Sequence, residues 1–305
     1  MVRIMNRPES KLVALLPAGH RLPTFQELDD NVGRSDLSIA IQPRPGGARC
    51  HLLEAGLDRM AIDVRVRPTA ALSAPHIQLA RLSGPEIDAA QASRSCVTVS
   101  CRIRHDPLVA LHAQLRALAA LAPDAVAVLD LGACEARSGD WMRDVPSAPE
   151  RWGLTSFFSI HSVLDDAGET WLHTHGLRRM GSIELDIVGI RNDEASTLAG
   201  LINTVARLFV ERGVPPPNTP FETAQSLPLV WVPCDRAWHV MSDIAGPFER
   251  DAEHARQRGI LLAPALDVRR GFEPPRRYVP LLRSDAALQL KRALGGGSPP
   301  RHLLH

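Results

Sequence analysis

Glu169-Thr170-Trp171-Leu172-His173-Thr174-His175-Gly176-Leu177, with Ser182-Ile183-Glu184-Leu185-Asp186-Ile187-Val188 close behind, decides how this chain folds. The second stretch alternates polar and apolar residues, the signature of a half-buried strand. Ser182, Glu184 and Asp186 share one face, and Ile183, Leu185 and Ile187 share the other, which faces the core. Phe157 to Leu164 and Glu169 to Thr174 read as two further strands. The connection Asp165-Asp166-Ala167-Gly168-Glu169 fits a three-residue hairpin loop, with Gly168 at the left-handed position. In that register His161 falls opposite His173, and Ser159 opposite His175. His161, His173 and His175 then project from one side, with Trp171 and Val163 beside them. A loop one residue longer or shorter would turn His161 to the opposite face.

Upstream, Lys11 to Leu16 reads as a strand and Pro23 to Asp30 as a short helix with proline in its first turn. Leu37 to Gln42, Cys50 to Glu54 and Met60 to Val66 read as strands, the first two joined by a turn at Arg44-Pro45-Gly46-Gly47. Ser83-Gly84-Pro85-Glu86 is a capping box opening a helix that runs to about Ser93. Cys96 to Ile103 alternates as a strand. Asp106-Pro107 opens the clearest helix, with Leu108, Leu111, Leu115, Leu118 and Ala122 at helical spacing. Pro123 ends it, and Ala125 to Leu129 is the continuous apolar run of a buried strand.

Gly139 to Trp152 reads as an irregular, proline-bearing connection. Asp193 to Val210 is a second strong helix, and Val214-Pro215-Pro216-Pro217-Asn218 a stiff linker. Leu229 to Val232 and Tyr278 to Leu282 read as strands, and Ala252 to Arg258 and Asp285 to Leu294 as helices. Strands and helices mix without regular alternation, so the expected fold class is α+β, mostly antiparallel sheet with packed helices and room for two subdomains. The expected organisation is an N-terminal α+β region over residues 1–138 and a His-x-His hairpin region with its helix over 139–213. A C-terminal α+β region over 214–297 and a disordered tail over 298–305 complete it.

Composition narrows the function classes. The 305 residues are 45% hydrophobic, enough for a sizeable core. Lys+Arg is 35 against Asp+Glu 34, without the basic excess of an electrostatic nucleic-acid binder. Cys50, Cys96, Cys101, Cys134 and Cys234 form no C-x-x-C pair, which argues against a cysteine zinc site and for reduced thiols in a cytoplasmic protein. The run from Leu108 to Leu131 is broken by Arg116, Pro123, Asp124 and Asp130, so no membrane span is expected.

No glycine-rich phosphate loop and no G-x-S-x-G elbow is present. Cys234 near His239, between Trp231 and Trp238, reads as a buried thiol rather than a nucleophile. With no complete catalytic constellation, the leading expectation is a non-catalytic binding protein without a cofactor, partnered by another protein or a small molecule. Its contact residues are Trp171, His173, His175 and Arg178. The alternative is a metal-dependent hydrolase. His173 and His175 would hold zinc, with His161 or Asp186 as a third ligand. The metal would lower the pKa of a bound water, and Glu184 would orient a ligand or accept the proton.

The spacing of His173, His175 and Asp186 is similar to that of the ligands of the JAMM zinc isopeptidases. The chain departs from them in having Gly176 where they have proline, Ser182 one residue short of their serine, and Asp186 on a strand rather than a helix. Their glutamate base would have to come from upstream, where Glu135 is available. A broader resemblance is carried by Asp106-Pro107-Leu108-Val109-Ala110-Leu111-His112, by Pro123 to Asp130, by Ser138-Gly139-Asp140-Trp141, by Trp171 to Leu177 and by Gly181 to Asp186. These segments resemble an uncharacterised family of bacterial proteins, a domain-of-unknown-function group. The resemblance implies a bacterial cytosolic protein and brings no catalytic residues with it.

Overall fold

A computed structural model of the chain describes residues 9–35, 39–44, 47–52, 60–69, 77, 79–103, 106–164, 170–223, 228–234, 258–264 and 278–280. It is an α+β fold, with two largely antiparallel sheets in two compact units, one within Asn6–Ser159 and one within Ile160–His305.

The first unit is built on an antiparallel sheet. Its strands are β1 (Ser10–Leu15), β2 (Ile39–Arg44), β3 (Gly47–Leu52), β4 (Met60–Pro68), β5 (Ser95–Cys101), β6 (Ala127–Asp130) and β7 (Glu135–Ser138), in the order β2-β3-β4-β5-β1-β6-β7. Helix α1 (Phe25–Gly33) starts on a Thr24/Glu27 capping box and α2 (Gly84–Ala92) on the expected Ser83/Glu86 box. Asp106 caps α3 (Pro107–Leu121) by accepting from the backbone of Leu108 at 2.8 Å and Val109 at 3.1 Å. Leu111, Leu115, Leu118 and Leu121 of α3 are buried, and the helix packs against β5, α1 and α4 (Gly139–Ser147). Gln114, fully buried, ties it to the sheet, donating to the carbonyls of Ser10 and Val99 at 3.1 Å each and accepting from Ser10 Oγ at 2.6 Å.

Two elements here correct the sequence reading. Glu135–Ser138 is a strand, β7, paired with β6. Residues Gly139–Ser147 are helical rather than irregular, capped by Ser138, whose Oγ accepts from Trp141 N at 3.0 Å. Gly139 is needed there. A Cβ would stand 1.9 Å from the Ala125 carbonyl oxygen.

The second unit carries β8 (Ser159–Leu164), β9 (Thr170–His175), β10 (Glu184–Ile190), β11 (Phe221–Glu222), β12 (Pro228–Pro233), β13 (Arg258–Pro264) and β14 (Tyr278–Pro280). The order is β11-β12-β13-β10-β9-β8, with β14 also paired to β13. β10 and β13 run parallel, and the other registered pairs are antiparallel. Helix α5 (Ala195–Arg212) packs on β9 and β10 and buries Leu198, Leu201, Ile202, Val205 and Phe209. Arg258, expected to end a helix, instead opens β13. The loop expected at Asp165–Glu169, Trp238, His239, the helix expected at Asp285–Leu294 and the expected tail lie outside the described residues.

Candidate functional site

Trp171, His173 and His175 alternate along β9 and so share a face of the second sheet. His161 arrives from the neighbouring strand β8. The imidazoles of His161 and His175 lie 4.6 Å apart, those of His161 and His173 5.4 Å, and those of His173 and His175 5.0 Å. One ring nitrogen from each falls within 4.8 Å of the other two, the arrangement of a group able to hold a metal ion. His161 and His173 are buried, and His175 is partly open. The Trp171 indole stacks on His173, with centroids 4.0 Å apart and planes 26° from parallel.

Asp186 stands directly opposite His173 in the β9–β10 register, yet it is not part of the histidine group. Arg258 holds it instead. The arginine Nε donates to both carboxylate oxygens, at 2.9 and 3.1 Å, and Nη2 donates to Oδ1 at 3.0 Å. Trp171 Nε1 donates to the same Oδ1 at 2.9 Å, and Cys234 Sγ to Oδ2 at 3.7 Å. Arg258 Nη2 also donates to the Thr174 carbonyl at 3.1 Å. The pair is withdrawn from solvent, Asp186 at 0% and Arg258 at 1% exposure. Burial disfavours the guanidinium charge, but the attraction and hydrogen bonds of Asp186, joined by Glu184 and Cys234, together lift Arg258 above its ordinary range. A carboxylate so engaged has few lone pairs left for a metal.

Glu184 is equally committed. It accepts from Thr174 Oγ1 at 2.8 Å and from the backbone N–H groups of Gly176 at 2.9 Å, Leu177 at 3.3 Å and Arg178 at 3.2 Å. It thereby ties down the backbone that follows His175. Gly176 turns there with φ at 109°, a value closed to proline. Burial pushes the Glu184 carboxyl up, against the pull of Arg258 and the hydrogen bonds. Arg178 enters this network through its backbone and is half-buried.

The structure therefore brings His161, His173 and His175 together, with Trp171 beside them. It leaves Asp186 and Glu184 outside as anchors, so the isopeptidase-like ligand set of His173, His175 and Asp186 is not formed. Glu135 belongs to the first unit, where Arg137 and Arg81 pair with it. Sequence reasoning missed Arg258. Its one signal was a basic residue placed immediately before the apolar run Gly259-Ile260-Leu261-Leu262.

The chain matches two parts of one family, described as protein of unknown function (DUF4026). The N-terminal part matches over residues 61–145 and the C-terminal part over residues 160–262. The chain belongs to this family, and the second match contains the three histidines, Trp171, Asp186 and Arg258. No curated protein and no solved structure matches the chain.

Proposed function

We propose that this protein binds a transition-metal ion through His161, His173 and His175, and that it does so as a binding protein rather than as a hydrolase. The observation that carries the reading is the convergence of three ring nitrogens within 4.8 Å of one another. Zinc bound at about 2.1 Å in a tetrahedral site needs its ligand atoms roughly 3.4 Å apart, so the ring nitrogens need close by no more than about 1.4 Å on loading. Three neutral imidazoles suit zinc, copper, nickel or iron and discriminate against magnesium and calcium. Glu184, the carboxylate expected from the sequence to accept the proton, is occupied by four donors, which favours binding over hydrolysis. Cys96, Cys101, Cys134 and Cys234 are thiols outside any disulfide, in keeping with a cytoplasmic setting. Among the described residues no helix is long and apolar enough to cross a membrane.

Elemental analysis of untagged protein tests the reading. We expect close to one zinc-class ion per chain, lost in the His173→Ala/His175→Ala variant while the circular dichroism spectrum persists. A wild-type chain that carries no metal and takes up none from added zinc would overturn it. The hydrolase alternative requires the same three ligands with a water at the open position. Hydrolysis of activated esters or peptides that disappears with the metal would favour that alternative over pure binding.

A further inference from the structure

We infer that Trp171 is the positioning residue of the three-histidine site, linking His173 to the buried Asp186–Arg258 pair and presetting its imidazole for metal. The inference rests on the metal-binding reading above and assigns a mechanism to it. The indole is held at two points. It stacks on the His173 ring with centroids 4.0 Å apart, and its Nε1–H donates to Asp186 Oδ1 at 2.9 Å. Asp186 is itself fixed by three contacts from Arg258. The order of restraint runs from the sheet outward: Arg258 on β13 fixes Asp186 on β10, Asp186 fixes the Trp171 indole on β9, and the indole fixes the ring of His173.

Such an arrangement lowers the entropic cost of bringing flexible imidazoles to one point. It also explains the placement of a carboxylate opposite a metal-binding histidine. Arg258 neutralises Asp186, so the acid serves as an anchor for Trp171 and leaves an all-nitrogen ligand set. Groups that orient metal ligands in this way are worth about 10- to 100-fold in affinity.

The test is zinc affinity by competition with a chromophoric chelator, together with the visible spectrum of the cobalt(II) form, on full-length protein. Trp171→Leu removes both the stack and the N–H. It is expected to weaken zinc binding by about tenfold or more and to change the cobalt bands. Trp171→Phe keeps an aromatic face without the anchoring N–H, and its affinity should fall between those of wild type and Trp171→Leu. If Trp171→Leu does not fold, Trp171→Phe carries the test, with weaker zinc binding and shifted cobalt bands at an unchanged secondary structure. Folded variants that bind zinc as wild type does, with the same cobalt spectrum, overturn the role of Trp171 and leave the metal site standing. A wild-type chain that binds neither ion overturns the metal site and the positioning role together.

Discussion

Each unit of this protein buries an acid against an arginine, and the two pairs are finished differently. In the first, Arg137 Nη2 meets Glu135 Oε2 at 2.6 Å, and Arg81, about half exposed, reaches the other carboxylate oxygen. Arg137 also lies over the Trp141 ring at 5.1 Å. Burial pushes the Glu135 carboxyl above its usual range and Arg137 down to about 10, in each case against the attraction of the partner. In the second unit Asp186 and Arg258 meet through Nε and Nη2, and Trp171, Thr174 and Cys234 add further hydrogen bonds. The first acid has a spare cation near solvent. Among the described residues the second has one cation, and both partners are withdrawn from solvent. A buried ion pair costs desolvation on both sides, so its value depends on how completely the geometry repays that cost.

The sharpest way to break the comparison is Arg258→Met. It leaves the Asp186 charge buried without a countercharge, and we expect a loss of about 3–5 kcal/mol in denaturant unfolding. The double variant Asp186→Leu/Arg258→Met should recover part of that loss. The same change at Arg137 should cost less, about 1–3 kcal/mol, because Arg81 remains on Glu135. Equal losses at the two arginines would show that the spare cation contributes nothing.

A third pair marks the exposed end of the series. Glu27 takes two hydrogen bonds from Thr24, at 2.7 Å to the backbone and 2.9 Å to the hydroxyl, and pairs with Arg21. Chiefly through the Thr24 backbone bond, its carboxyl falls from 4.5 to about 2. A lowered folded-state pKa gives stability that is present above pH 4.5 and lost as pH falls toward 2. Wild type should therefore lose more stability over that range than Glu27→Gln does in parallel melts. Being fully screened by solvent, this is the smallest effect of the three.

Much of this was legible in the sequence where local chemistry fixes an element. Ser83/Glu86 and Asp106-Pro107 announce their helices because capping is settled within four residues. The alternation of Ser182 to Ile187 gives the face that Glu184 and Asp186 occupy, and two-residue spacing places Trp171, His173 and His175 together. What those acids do there was not legible. Asp186 finds its partner 72 residues away, and nothing near either residue marks the pairing. β13 pairs in parallel with β10, so its apolar run does not alternate, while Arg258 resembles the basic last turn of a helix. Gly139 and Pro146 read as loop residues, although the glycine is there for close contact with Ala125 and the proline sits near the helix end. The four residues of β7 are too few and too polar to show a period.

The parallel pairing of β10 with β13 sets an order on synthesis. A ribosome delivers β9 and β10 with their histidines, indole and acid well before it delivers Arg258. Until then Asp186 has no countercharge, and the long-range pairing that closes the sheet has not been made. Arg258 thus lies in the last part of the family-matched segment, which ends at residue 262. A nascent chain halted before Arg258 carries all three histidines and lacks the partner of the buried Asp186.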